Sequence, residues 1–180
     1  MAATGTDRDF AAYVRARQGA LLRSALLLTG DHHAAQDLLQ EALTKLASRW
    51  ARVSEGSPDA YVRRILYRDA VSRWRKTHRE VLRPDPLDGD RMVGSVPARD
   101  HAADWVSAVE VRSALQLLTA KQRAVLVLRY YEDMSEAQIA ETLGVGTGTV
   151  KSQAHVALRR LRQLLPEAAE ALAGPEEDTR

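Results

Sequence analysis

Apolar residues recur along this chain at helical spacing, and no stretch alternates with the two-residue period of a strand. From Asp7 to Leu28, the positions Phe10, Val14, Leu21 and Leu28, with Arg17 and Ala25 in step, form one such row, and Gly30 stops it. Asp31 is placed to cap the next helix, HHAAQDLLQEALTKLASRW, which turns Leu38, Leu39, Ala42, Leu43, Leu46 and Trp50 inward. Asp37, Gln40, Glu41 and Lys45 stay outside, and Glu41 and Lys45 are spaced for a pair along the helix. Ser57-Pro58-Asp59 then supplies a capping serine, a proline at the first helical position and an acid for the helix dipole. The helix that it opens reads AYVRRILYRDAVSRWRKTHRE.

After Arg83 the pattern breaks. PDPLDGDRMVGSVPARDHAAD, residues 84–104, holds three prolines, two glycines and an excess of acids, the composition of a flexible linker. Periodicity resumes with Trp105, Val109 and Leu115. Three further helices follow, each punctuated in the sequence. Thr119 with Gln122 makes a capping box, opening a helix whose apolar side is Ala124, Val125, Leu128 and Tyr131. Ser135 with Gln138 makes a second box, before Ile139, Ala140 and Leu143, and Gly144 supplies a left-handed stop. Past the turn at Val145-Gly146-Thr147-Gly148, Thr147 or Thr149 can cap a last helix that buries Val150, Ala154, Leu158, Leu161 and Leu165 and ends before Pro166. The predicted fold is therefore all-α. Two small helical domains, 7–83 and 105–166, flank the linker 84–104, and an acidic tail covers 167–180.

Composition narrows the class by exclusion. There is no cysteine, which removes disulfides, thiolate metal sites and thiol catalysis. Neighbouring His32 and His33 point to different faces of a helix, so with Asp37 they do not converge on a metal. No run reaches the roughly 18 apolar residues of a membrane span, and no signal-peptide pattern opens the chain, so a cytoplasmic protein is expected. No nucleophile–base pairing or phosphate-cradling loop is present, so no catalytic residue, cofactor or enzymatic activity is expected.

Net charge, with 26 Lys+Arg against 24 Asp+Glu, is uninformative; its distribution is not. Between Ser57 and Arg83, eight Lys/Arg stand against three acids, a local net of +5, with Tyr61, Tyr67 and Trp74 interleaved. Cations that follow a phosphate backbone, with rings for bases to stack on, are what a single-stranded nucleic acid requires. The last helix holds Lys151, Arg159, Arg160 and Arg162 and no acid. Following a short helix and a glycine-bearing turn, it matches a helix-turn-helix, whose second helix reads the DNA major groove from its N-terminal part. That part carries Lys151, Ser152, Gln153 and His155.

Taken in order, these stretches resemble the extracytoplasmic-function (ECF) sigma factors of the sigma-70 superfamily, from about Phe10 to Leu165. LTAKQRAVLVLRYYEDMSEAQIAETLGVGTGTVKS is similar to the family's region four, AAQDLLQEALTKLASRW to its polymerase-binding helix, and AYVRRILYRDAVSRWRK to its strand-opening helix. The resemblance implies two helical domains that bind core RNA polymerase, through the β′ coiled coil and the β flap, and promoter DNA; it also raises an anti-sigma factor as a partner. It implies docking on polymerase by Asp37, Leu38, Gln40 and Glu41. Contact with the minus-10 element would fall to Tyr61, Arg64, Tyr67, Arg68, Arg73, Trp74 and Lys76. Contact with the minus-35 element would fall to Thr149, Lys151, Ser152, Gln153, His155 and Arg159. Three positions depart from the family's pattern: Arg68 stands where asparagine is frequent, Gln153 where arginine is, and Thr119-Ala120 where proline is.

Two other readings share part of these features. A response-regulator-type activator has a similar terminal helix-turn-helix but leaves the first domain unexplained. A helical adaptor of polymerase would use the acidic docking helix without reading DNA.

Overall fold

The computed structural model describes residues 5–81 and 108–165, and every regular element among them is helical. The expected linker 84–104, the tail 167–180 and Trp105 lie outside the described residues. The elements are α1 (Gly5–Thr29), α2 (His32–Ala47), α3 (Trp50–Val53), α4 (Pro58–Val81), α5 (Ala108–Gln116), α6 (Ala120–Leu126), α7 (Glu136–Leu143) and α8 (Thr147–Leu164).

The first bundle, α1 to α4, closes where the apolar rows meet. Leu21, Ala25 and Leu28 of α1, Leu38, Ala42 and Leu46 of α2, and Val62 and Leu66 of α4 share one core. Gly30 stops α1 in the left-handed region, at φ 76°. Asp31 caps α2 by accepting from the Ala34 N–H at 2.8 Å, and that bond holds its carboxyl below the usual carboxylate range. The helix α2 stops at Ala47, short of the Trp50 expected from periodicity. The break at Arg49 (φ −124°, ψ 7°) starts a new short helix and carries Trp50 to Phe10 and Tyr13, with ring centroids 5.2 and 5.1 Å apart. Asp59 does more than complement the dipole of α4. It accepts from the Tyr13 hydroxyl (2.8 Å) and pairs bidentately with Arg17 (3.0 and 2.7 Å), tying the start of α4 to α1.

The second bundle is wrapped around α6. Both capping boxes form as predicted, at Thr119/Gln122 and Ser135/Gln138, and Gly144 ends α7 at φ 69°. Unlike an amphipathic surface helix, α6 is covered almost all round, and even Gln122 and Arg123 are buried. The reason is tertiary: α8 covers one side, while α1 and α4 of the first bundle cover another. Arg123 uses its fork of donors to satisfy four carbonyls. It donates to Leu115 O (2.7 Å), Gln116 O (3.1 Å) and Leu118 O (3.1 Å) at the end of α5, and to Leu28 O at the end of α1. One buried guanidinium thus caps two helix C-termini from different bundles.

Beyond Leu126 the helix widens by one residue per turn over Val127–Tyr131, and the Glu132 N–H reaches back to Val127 O at 3.1 Å. This rotation takes Tyr131 out of the expected apolar side and leaves it 46% exposed, its hydroxyl accepting from Arg23 Nε at 3.1 Å.

Arg123→Leu should strand four carbonyls, three of them in buried contacts, and lower stability by on the order of 3 kcal/mol or more, with Arg123→Lys losing less, read from urea midpoints. Gly144→Ala should cost about 1–2 kcal/mol, because φ is positive there and an added Cβ would lie 2.5 Å from Arg68 Nη2.

Candidate nucleic-acid interface

Helix α7, the turn at Gly144–Gly146 and helix α8 form the helix-turn-helix. Neither Thr147 nor Thr149 caps α8. Gly146 is the cap residue, with no side-chain bond, and its carbonyl accepts from the N–H groups of Thr149 (3.0 Å) and Val150 (3.1 Å). Thr147 is already the first helical residue. The stripe that holds α8 down is Val150, Ala154, Ala157 and Leu161, with Leu158 and Leu165 half-buried at its border.

Lys151, Ser152, His155, Arg159 and Arg162 are exposed, and 151, 155, 159 and 162 run along one face of α8. Lys151 is 67% exposed and its ammonium lies 3.6 Å from Glu136, a carboxylate shared with Arg129 at 3.3 Å. Surface pairs of this length contribute little and leave the lysine free to exchange partners. Ser152 donates to Thr149 O at 3.0 Å. Gln153 does not join this row. Two residues past Lys151 on a helix is the far side, and with Thr149 it lines a cleft of about 550 Å³ against Arg68, Ser72 and Arg75 of α4 and Lys121 of α6. The predicted reading tip is therefore split between two faces.

The predicted contacts on α4 are placed differently again. Lys76 is exposed, and Tyr61 and Trp74 are half-buried. Arg73 pairs with Glu41 of α2. Arg64 pairs with Glu141 of α7 at 2.6 Å, and Arg68 Nε donates to Thr142 O at 3.0 Å. Tyr67 is fully buried, so in this arrangement its ring cannot stack on a base; its hydroxyl donates to Glu132 at 3.3 Å. Burial, reinforced by the Glu132 carboxylate, pushes the Tyr67 phenol well above its ordinary value. Sequence reasoning missed Glu132 and Glu141 as partners of this face, because nothing local in YYEDMSEAQIAE points to residues some 70 positions earlier.

On α2, Asp37, Gln40 and Glu41 are exposed on one side. Leu38 is fully buried in the first bundle's core and offers no side chain to a partner, which corrects its place among the docking residues. The pair expected between Glu41 and Lys45 gives way to two bridges to α4: Glu41 to Arg73, and Lys45 to Asp69 at 2.6 Å.

A helix-turn-helix with an exposed basic face, joined to a bundle whose last helix is also basic, defines a DNA-binding protein of the helix-turn-helix class. The order of the two bundles narrows this further. Residues 13–80 match the family model of Sigma-70 region 2, and residues 108–161 match that of Sigma-70 region 4. The chain is 41% identical over 162 residues to the RNA polymerase sigma-E factor of Streptomyces coelicolor, an alignment that takes in 89% of this chain and 88% of that protein. It is 33% identical over 150 residues to the ECF RNA polymerase sigma factor SigL of Mycobacterium tuberculosis, covering 82% and 83% of the two chains. Among solved structures it resembles the sigma factor RpoE of Bartonella quintana, seen in complex with the anti-sigma factor NepR. The TM-score there is 0.66 at 29% identity, over 88% of this chain and 98% of that one. The chain belongs to the ECF sigma factors of RNA polymerase.

A phenol whose pKa is raised on folding stabilises fully below its unfolded value, about 10, and progressively less as pH climbs above it. The native protein should therefore lose stability more steeply above about pH 10 than Tyr67→Phe does, as urea midpoints at pH 9 and pH 10.5 would show.

Proposed function

We propose that this chain binds core RNA polymerase and directs it to promoters, with the labour divided between its two bundles. The observation that carries the reading is the succession of a region 2 and a region 4 match on one chain. The region 2 match also accounts for the first half, which a response-regulator-type activator leaves unexplained. In this reading residues 7–83 form the domain that docks on polymerase and meets the minus-10 element, 105–166 the domain that meets the minus-35 element, and 84–104 the linker between them. The protein acts as a regulatory subunit with no catalytic group of its own, and its place of work is the cytoplasm, where polymerase is. No described helix is long and apolar enough to cross a membrane.

The docking surface is the exposed side of α2, Asp37, Gln40 and Glu41, and its acids suit a basic partner surface on the β′ coiled coil; the β flap is the site proposed for the second bundle. The outer row of α8 supplies base and phosphate contacts in duplex DNA. Lys151 can donate to guanine O6 and N7, while Arg159 and Arg162 lie further along, where a helix crossing the groove meets phosphate. On α4, Arg64, Arg68, Arg73, Lys76 and the rings of Tyr61, Tyr67 and Trp74 are the groups proposed for the melted minus-10 strand. An anti-sigma factor, the partner of the Bartonella relative, is a further proposed ligand.

Run-off transcription by core polymerase with and without this protein tests the assignment as a whole; no promoter-dependent transcript on any template that carries the organism's own upstream regions would overturn it. Asp37→Arg combined with Glu41→Arg should reduce co-purification with core polymerase at least tenfold while helical circular dichroism stays unchanged. Lys151→Ala should cost on the order of 1–3 kcal/mol at particular base pairs, whereas Arg159→Ala should weaken binding to all upstream sequences alike and lower the log–log salt slope by about 0.9. Selection from a randomised upstream element with each mutant holoenzyme separates the two outcomes.

A further inference from the structure

The cleft that Gln153 and Thr149 share with α4 and α6 holds about 550 Å³, the size of a small-molecule site. Its walls come from α4, α6, the turn after α7 and the start of α8, so neither bundle forms it alone. Its charge is one-sided: Arg68 and Arg75 of α4 and Lys121 of α6 stand against a single acid, Asp69. That acid is already engaged, since Lys45, which does not line the cleft, pairs with it at 2.6 Å. Arg75 and Lys121 are exposed and pair with no carboxylate among the described residues.

Arg68 is fixed in the wall. Its Nε donates to Thr142 O at 3.0 Å, and its guanidinium lies against Gly144, where an added Cβ would stand 2.5 Å from Nη2. A residue without a side chain is what admits the group there. One N–H of the fork is engaged by the carbonyl, and the others point to no partner among the described residues.

Much of the remaining wall is apolar. Val125 and Val150 are buried, and Leu143 and Val145 are half-buried. Thr149 adds a hydroxyl and Gln153 an amide, donor and acceptor together. A nucleic-acid strand suits this shape poorly, because it follows an open basic groove and would leave the apolar wall in water. The row Lys151, His155, Arg159 and Arg162 that serves duplex DNA is on another face of α8.

Three cations suit an anion of more than one charge, the apolar wall suits a ring body, and the Gln153 amide suits a base edge such as adenine N6 and N7. We propose that the cleft is a binding site for a small phosphorylated molecule of the nucleotide class, its phosphates held by Arg68, Arg75 and Lys121 and its base against the apolar wall beside Gln153. The site stands whichever helix contacts promoter DNA, and run-off transcription tests that assignment separately. Because both bundles contribute groups, occupancy of the cleft and joining of the bundles are linked reciprocally.

Equilibrium dialysis of the full-length protein against radiolabelled ATP, without divalent cations, tests the site. One saturable site per chain is expected. Arg75→Ala with Lys121→Ala, both at exposed positions, should lower affinity about tenfold or more, with circular dichroism unchanged. Ser72→Trp, at an exposed position of the wall, keeps every charge but fills the cleft, and should lower it as far. Arg49→Ala with Arg52→Ala removes two exposed arginines outside the cleft and should leave binding unchanged. Adenosine and pyrophosphate, each holding half of the recognised features, should both compete about tenfold less well than ATP. Absence of saturable binding would overturn the site. So would a Ser72→Trp protein that binds like the native one, or an equal loss in the Arg49/Arg52 variant, since either result leaves only attraction of an anion to surface cations. Pyrophosphate competing as well as ATP would overturn the nucleotide class. A single-stranded oligonucleotide that binds through Arg75 and Lys121 where ATP does not would replace the small molecule with a strand.

Discussion

The arrangement of this protein turns on the buried guanidinium of Arg123. It satisfies carbonyls at the ends of α1 and α5 at once, so the first bundle and the second are joined by a single planar group inside the core. Burial pushes its pKa down to about 10, yet it remains charged at neutral pH, and a lysine in its place would have too few donors in too loose a geometry to serve both helix ends. Two helix macrodipoles end on this charge, which offsets part of the cost of removing it from water.

Fixing Arg123 fixes α6, and α6 sets the rest of the second bundle. Its covered position aligns the π turn, the π turn aims Glu132 at α4, and the chain leaves at Ser135 into the capped α7. The helix-turn-helix is then carried with its apolar stripe against α6 and its Lys151–Arg162 row outward. A charge balance of only +2 conceals this sorting. Glu132 and Glu141 of the second bundle pair with Arg63 and Arg64 of α4 across the junction, while Lys151, Arg159 and Arg162 of α8 face solvent, Lys151 beside Glu136. Exposed cations remain on both elements, Lys151, Arg159 and Arg162 on α8 and Arg75 and Lys76 on α4.

The ion pairs across the junction differ in weight. Arg64–Glu141 is at the surface and adds little, whereas the Glu132 cluster is shielded, hydrogen-bonded and costly to break one partner at a time. Joining of the bundles therefore depends on a few buried polar groups more than on the number of bridges.

The all-helical class, the positions of most helices, both capping boxes, the Gly30 and Gly144 stops and the helix-turn-helix were legible in the sequence, because each is decided by side chains within one or two turns of one another. The candidate docking acids and the basic row of α8 were legible for the same reason: periodicity alone puts them opposite the apolar stripe. What tertiary structure decided involves partners far apart in the chain. Leu38 is core rather than docking surface because α1 and α4 close over it, and Glu41 and Lys45 reach α4 instead of each other because that helix brings Arg73 and Asp69 nearer than solvent. Tyr67 is buried, Gln153 faces the cleft and Tyr131 is exposed for similar reasons: the packing of one bundle on the other, and one additional residue in a helical turn, reassign faces that a uniform 3.6-residue repeat assigns otherwise.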